Sequence, residues 1–595
     1  MTVYYTISAD NFNSHLFDVS INFETNANQT YNLSLPAWLP GSYMIRDFAK
    51  NIHQLSVKDS QNNPLELHKK DKQSWQVTAT DEKLSIHYQV FAFDLSVRTA
   101  YLDNQRGFFN GSSTFLAIKE LLNVPCELTI HTVAQQETWR VATGMTRSSS
   151  TEKYQFGQYQ AANYDELIDC PVAIGDFDAF EFDVNGIRHH MVFTSKHYGD
   201  RERIVKDVTK LCQHHIDLFT HAPFSEYWFI THLLADGFGG LEHKNSTILQ
   251  TSRFDLPNPN KPEELTEQYQ TFLSLCSHEY FHAWNVCRIK PEEFVPYDLS
   301  KESYTEQLWA FEGITSYYDD FSLYRAGIID FEAYLQILSK VMTRINRGNG
   351  ELKQSVADSS YYAWTKFYQQ GPEAVNHIVS YYLKGAIIAL WLDLTIRDKS
   401  KQKYSLDTLM REIWFNFGRK NIGTTTLAYI EIANKLCGEE IGEQFSELLN
   451  QAKRIDLAQL LEKFGVKQVT QKFKNLASLE STECKDYIPY LGLQFKASEH
   501  GLKVTQILED SPANSAGLAV NDIIIAIDNL KVTTTNIQSL AEHLPSNTLI
   551  DCHYFRDDKL VKTAIAFTDS PETALTLKVI EIDKIKQWQT IIDKV

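Results

Sequence analysis

The sequence predicts a multidomain α+β protein, and three observations carry that prediction. The chain has 595 residues, more than one hydrophobic core holds at ~100–200 residues per domain. Its first part alternates apolar and polar residues, its middle repeats apolar residues every three or four positions, and its last part returns to alternation. Apolar residues make up 43% and charged residues 22%, near the globular average, which excludes wholesale disorder and fibrous repeats.

Residues 1–175 read as a β-sandwich or saddle. Leu16-Phe17-Asp18-Val19-Ser20-Ile21-Asn22-Phe23 and Leu84-Ser85-Ile86-His87-Tyr88-Gln89-Val90 alternate as half-buried strands do. Leu35 to Tyr43 holds two prolines and a glycine and cannot be helix interior. A second region, 176–330, and a third, 331–480, carry helical periods over 201–220, 262–288, 303–326, 331–347, 375–397, 404–417 and 425–449. Ser303-Tyr-Thr-Glu306 has the form of a capping box, which predicts a helix start before Leu308. Residues 481–572 are β again, and 573–595 form a C-terminal extension.

The net charge of −18 argues against a nucleic-acid-binding surface, which neutralises phosphates with clustered Lys and Arg. Eight cysteines lie far apart with no C-x-x-C pair, as expected of reduced thiols rather than a secreted disulfide scaffold. The first ten residues show neither a basic n-region nor an apolar h-region. Unbroken apolar runs such as Ala386 to Leu392 fall short of the ~20 residues of a membrane helix. The expectation is a cytoplasmic protein with no membrane or nucleic-acid partner, its oligomeric state open.

The richest segment is Ser277-His278-Glu279-Tyr280-Phe281-His282-Ala283-Trp284-Asn285. Residues four apart share a helix face, so His278 and His282 can direct their imidazoles to one metal ion. Glu279 follows the first ligand, where its carboxylate can reach a water on that metal. Two imidazoles with an open position suit catalytic zinc, which lowers the pKa of its water to ~7. Leu273, Leu275, Cys276, Phe281 and Trp284 mark a buried helix, in which two histidines without partners would be costly. Glu312, 30 residues after His282, shares an apolar stripe with Leu308, Phe311 and Thr315. A carboxylate there needs a partner, and zinc would supply one as the third ligand site.

His278-Glu-Tyr-Phe-His282-Ala-Trp-Asn-Val, Trp309-Ala-Phe-Glu312-Gly-Ile-Thr-Ser-Tyr-Tyr and Pro36-Ala-Trp-Leu-Pro-Gly-Ser-Tyr-Met-Ile-Arg-Asp-Phe together resemble the glycyl aminopeptidase family of zinc metallopeptidases, of the HExxH gluzincin type. The resemblance spans essentially the whole chain. It implies an N-terminal β domain, a thermolysin-like zinc peptidase domain with a helical extension that completes the active site, and a C-terminal PDZ domain. It further implies one Zn2+ per chain on His278, His282 and Glu312, with Glu279 as general base.

A more distant likeness, to aminopeptidase N, implies two further roles. Tyr382-Leu-Lys-Gly385 matches that family's Tyr-x-Lys-Gly, and the Tyr382 phenol would donate to the oxyanion of the tetrahedral intermediate, with neighbouring Tyr381 as the alternative. Gly237-Phe-Gly239-Gly240-Leu241-Glu242-His243 resembles its Gly-x-Met-Glu-Asn strand. There Glu242 would pair with the substrate's free α-amino group, while Gly239 and Gly240 let the peptide backbone approach. Two departures stand out: His243 replaces Asn, and the third ligand comes later in the chain.

Tyr490-Leu491-Gly492-Leu493 resembles the carboxylate-binding loop of PDZ domains, whose amides hold a peptide C-terminus. Ser511-Pro-Ala-Asn-Ser-Ala-Gly-Leu518 followed by Asp522-Ile-Ile resembles bacterial protease PDZ domains. The expected activity is release of N-terminal Gly or Ala from peptides with a free N-terminus. The rivals are a PDZ-recruited zinc endopeptidase and a catalytically idle PDZ adaptor.

Overall fold

The computed structural model describes residues 1–589. Contacts divide the chain into two compact units, one of residues 1–303 with 414–424, the other of residues 304–413 with the chain from 425 onward.

In the first unit the alternating strands pair as their pattern requires. Leu16–Glu24 lies between Val3–Asn11 and Lys83–Phe91 in a seven-stranded sheet, with Tyr5 opposite Ile21 and Phe17 opposite Val90. Phe17, Val19, Ile21 and Phe23 point into the core and are at most 2% exposed, because a period of two sends every second side chain to one face. Two four-stranded sheets complete this β region. The Pro36–Tyr43 segment runs irregularly, as its prolines demand, and the Trp38 indole fastens it by donating to the carbonyls of Asp298 and Lys301 at 3.0 and 2.7 Å.

A five-stranded sheet follows, ordered Asp178–Val184, Ile187–Phe193, Glu226–Leu234, Ser246–Ser252 and Gly239–Glu242. Ile187–Phe193 and Glu226–Leu234 run parallel, connected through the Arg201–Phe219 helix, and Tyr227 to Leu233 is buried along its whole length. Parallel strands covered on both faces need such unbroken runs. Gly239–Glu242 pairs antiparallel with Ser246–Ser252 and ends the sheet. An edge strand of this kind has backbone groups to offer an extended peptide.

The second unit is mainly helical. Its helices include Ile314–Arg325, Phe331–Arg347 and Tyr381–Lys399, the last two N-capped by Asp330 and Ser380. Ala374–Lys399 is long and apolar enough to cross a membrane by length and composition, which the count of unbroken apolar runs misses, because scattered polar residues interrupt it. Of that span 78% is buried within the fold, as in the core helix of a globular domain.

The helix starts at Leu308, as expected, but the capping-box residues Ser303 to Glu306 do not form its first turn. Residues 303–307 carry no helix, and the chain turns helical at Leu308 through a π turn, Trp309–Gly313. The helix-end donors find other acceptors: Gln307 N–H bonds the Thr305 hydroxyl and Trp309 N–H the Ser360 hydroxyl, at 3.2 and 3.3 Å. Ser360 is distant in sequence, so no local motif could signal this cap.

The strands Val466–Phe473 and Ala574–Val579 pair antiparallel beside the Phe331–Arg347 helix, where Leu577 N–H bonds the Ser339 hydroxyl at 3.0 Å. Between them the chain forms a small sheet domain. Its strands run in the order Leu493–Ser498, Gly501–Ile507, Ile523–Ile527, Ile550–Arg556 and Lys559–Ile565, with a helix at Ile537–His543.

Candidate active site

The Glu267–Phe281 helix begins at Thr266, whose hydroxyl caps Tyr269 N–H, and delivers His278 and Glu279 in its last turn. His282 follows at the helix end, and the two imidazoles stand 4.7 Å apart between ring centroids. His282 is 1% exposed, and its Nδ1 lies 2.8 Å from the Asn285 carbonyl. A carbonyl only accepts, so Nδ1 carries the proton and Nε2 keeps the lone pair that a metal uses.

The outer face of this helix is fixed by buried polar pairs. His215 Nε2 lies 2.8 Å from the Ser277 hydroxyl, and His189 Nε2 lies 2.9 Å from the Tyr280 hydroxyl. Burial pushes the His189 imidazole down to about 4, so it stays neutral and can accept from the phenol. At the helix end the Arg288 guanidinium donates to the carbonyls of Ala283, Lys244 and Pro223 at 2.6–2.9 Å. A cation there matches the negative end of the helix dipole and ties the helix to the loop after Glu242.

The edge strand meets this helix through a missing side chain. A Cβ on Gly240 would stand 2.0 Å from Oε1 of Glu279. Glu279 is 4% exposed and lies against the strand backbone at this glycine. Two residues on, Glu242 is 7% exposed, and a Cβ on Gly41 would come within 2.4 Å of its Oε2. Gly41 has φ +80°, a conformation glycine adopts without strain. Arg98, from the N-terminal β region, donates to the Gly240 carbonyl at 3.5 Å.

His243 Nδ1 is 3.3 Å from Asp169 Oδ1, and Lys244 N–H donates to Oδ2 of the same carboxylate at 3.2 Å. Burial alone would raise the Asp169 carboxyl. The His243 bond and the Lys244 charge outweigh it and hold Asp169 below the usual carboxylate range. Beside Glu242 a cavity of about 80 Å³ opens, lined by Pro40, Asp165, Asp169, Lys290 and Tyr297 among others.

In the second unit Glu312 sits in the Trp309–Gly313 π turn, 2% exposed. Gly313 and Gly385 let this turn cross the Tyr381–Lys399 helix with backbones touching: a Cβ on Gly313 would lie 2.5 Å from Gly385 Cα. The glycines of Glu-Gly-x-Thr and Tyr-x-Lys-Gly therefore bring the two motifs together. Tyr381 is wholly buried, and burial first, then Tyr368 and Glu312, push its phenol well above the ordinary value. Tyr382 is partly exposed at the start of the same helix. Lys384 is a structural anchor, its ammonium donating to the Lys453 carbonyl at 2.8 Å.

His278 and His282 offer two imidazoles and Glu312 a carboxylate, donors of the kind that can hold a metal ion. Two imidazoles and a carboxylate are the set that catalytic zinc favours.

Comparison with known proteins agrees. Family models match for the Peptidase M61 N-terminal domain over residues 4–176, M61 glycyl aminopeptidase over 271–388 and a PDZ domain over 489–567. A solved structure described as an aminopeptidase N family protein from Idiomarina loihiensis is 42% identical, covering 99% of this chain and 100% of that one with a TM-score of 0.95. The chain belongs to the M61 glycyl aminopeptidase family. It is therefore an enzyme, a metallopeptidase of the aminopeptidase type. An M1 zinc metallopeptidase from Deinococcus radiodurans is 10% identical over 77% of this chain and 94% of that one, with a TM-score of 0.47. No curated protein matches the chain.

The site of this M61 peptidase includes residues that sequence reasoning did not single out. Gly41 belongs to the Pro36–Phe48 segment already noted for its likeness, so a signal existed there. Arg98 and Asp169 had none: each is a lone charge in an ordinary stretch, brought in by the fold. In the PDZ domain Leu491 and Leu493 are buried at 4% and 3%, and Gly492 between them has φ +70°. Gly492 lies hard against Ser511, whose Cβ would be 2.2 Å from an added methyl.

Proposed function

We propose that the protein is a zinc-dependent aminopeptidase that releases N-terminal Gly and Ala from peptides. One observation carries the reading: Gly240 and Glu242 sit on one edge strand, and the general-base candidate Glu279 presses on the first of them. A peptide lying along that edge passes the base before its amino end reaches a buried carboxylate.

In this reading His278, His282 and Glu312 hold one zinc ion. Bound there, zinc supplies Lewis acidity, lowering the pKa of water from 15.7 to ~7 and polarising a carbonyl. Glu242 accepts the substrate α-ammonium, an ionic bond that a blocked N-terminus cannot make. Gly239 and Gly240 leave room for the peptide backbone. Glu279 takes the proton as the water oxygen attacks the first peptide carbonyl carbon. The Tyr382 phenol donates to the oxyanion that forms. The C–N bond then breaks, and Glu279 returns the proton to the leaving amine nitrogen. Small first residues fit because Pro40 and Gly41 approach Glu242 closely. All eight cysteines are free, which supports a reducing, cytoplasmic location.

The test is hydrolysis of glycine and alanine anilides by metal-analysed wild type and Glu279→Gln. Zinc at one per chain, with wild-type cleavage lost in Glu279→Gln, is the expected result. Stoichiometric zinc without cleavage of either anilide sinks the proposal. Equal cleavage of N-acetylated peptides, indifferent to Glu242→Ala, would make the enzyme an endopeptidase.

A further inference from the structure

The PDZ domain has the architecture of a peptide-binding module, and its groove holds a piece of this same chain. The loop Tyr490–Leu493 leads into the strand Leu493–Ser498, which forms the edge of its sheet. Facing that edge is the Ile537–His543 helix. An added peptide seats beside such an edge, with its last side chain in the apolar pocket under the loop.

That pocket is filled. Leu476 lies in it among Leu491, Leu493, Phe495, Leu502 and Ile537 and packs against the domain's core. The space left beside it is about 10 Å³, at or below the ~10–15 Å³ that one ordered water needs. A second aliphatic side chain cannot enter while Leu476 remains.

Both walls also grip the backbone of the segment. Leu476 N–H donates to Gln538 Oε1 on the helix at 3.1 Å, and Gln494 Nε2 on the edge strand donates to the Ala477 carbonyl at 3.2 Å. Asn475 Oδ1 accepts from the N–H groups of Ala477 and Ser478 at 3.0 and 2.9 Å, shaping the turn that presents Leu476. Glu480 closes the segment by pairing with Lys474 at 3.1 Å and with Lys340 of the Phe331–Arg347 helix at 3.4 Å.

We propose that this groove is occupied in cis, with Leu476 as an internal ligand, and that a peptide ending in an aliphatic residue with a free carboxylate binds only by displacing it. Leu476 sits inside the chain and brings no carboxylate, whereas a true C-terminus adds one for the Tyr490–Leu493 loop to hold. Exchange is therefore possible but penalised. A segment tethered by two residues, Lys474 and Asn475, to the strand ending at Phe473 competes at an effective concentration on the order of mM. If the segment itself binds at ~10⁻⁴ M, lacking the carboxylate, any incoming peptide would be weakened ~10-fold, the ratio of that concentration to the segment's own dissociation constant.

The test uses the full chain and an N-terminally fluorescein-labelled peptide ending in leucine, in free-acid and amidated forms, read by anisotropy. Leu476→Ser is expected to bind the free acid at least ~10-fold more tightly than wild type, and to bind the amidated peptide more weakly than the free acid because the loop then has no carboxylate to hold. Glycine-anilide hydrolysis, measured in parallel, reports on the zinc site, so failure of the groove proposal is distinguishable from failure of the peptidase reading. Should Leu476→Ser lose cooperative melting, the double variant Gln494→Ala, Gln538→Ala loosens the segment with the pocket intact and must show the same gain. Equal affinity of wild type and the melting-competent variant, or no binding by that variant, overturns the proposal.

Discussion

Gly240 and Glu279 occupy one space: a methyl group on the glycine would stand 2.0 Å from the carboxylate oxygen. The strand that would carry the peptide and the group that would activate water are thus fitted to each other through the absence of a side chain. Gly240→Ala must push Glu279 aside or bend the edge strand. The expected result is a fall in kcat of ~10²-fold, the scale of a ~1 Å misplacement of a catalytic group. Melting should change little, since the strand is at a sheet edge. Steady-state kinetics on alanine anilide checks it, and an unchanged kcat would remove Glu279 from the chemistry.

Glu242 rests on Gly41, so the N-terminal β region shapes the proposed amine site. Gly41→Ala places a side chain at φ +80° and against the carboxylate, with an expected stability loss of ~1 kcal/mol. KM for substrates with a free amino group should rise, as it should for Glu242→Ala. Comparing free and N-acetylated peptides shows whether the loss is confined to the charged terminus.

Metal removal separates binding from chemistry. Dialysis against a chelator should abolish cleavage, and stoichiometric zinc should restore it. His282→Ala should lose the metal itself. Glu279→Gln should keep the metal and lose ~10²–10⁴-fold in kcat, the usual contribution of a general base. Metal analysis beside activity tells these outcomes apart.

Glu351 gives a pH prediction of its own. Burial pushes its carboxyl up to about 7, with Lys384 and Arg454 opposing. Its ordinary value is 4.5, so ionising it costs more in the folded chain than in the unfolded one. Wild-type stability therefore falls as pH rises from 4.5 through 7, where Glu351→Gln, which cannot ionise, escapes the loss. The gap between the two should widen by about 2–3 kcal/mol between pH 4 and 8. Urea midpoints at both pH values measure it, and a constant gap would contradict the raised carboxyl.

The His-Glu-x-x-His pair was legible because helical spacing is a local rule: His278 and His282 must share a face once 267–281 is a helix. The β pattern of Leu16–Phe23 was legible for the same reason. The helix start at Leu308 was legible, but the acceptor of its Trp309 N–H was not, because Ser360 is supplied from far along the chain. Ala374–Lys399 escaped notice as a long apolar helix because Lys384 and Asp393 interrupt the run while being buried and paired.

From sequence alone come the α+β class, the metal-binding pattern on His278 and His282, and the likeness that placed Glu312, Tyr382 and Glu242. Only the tertiary structure decided that Gly240 makes room for Glu279, that Gly41 carries Glu242, and that Leu476 fills the PDZ groove. The physical reason is range. Periodicity and capping act over a few residues and leave a trace in the local sequence, whereas close packing joins surfaces whose segments lie far apart in the chain. A glycine announces that something comes near; which atom does so is set by the fold.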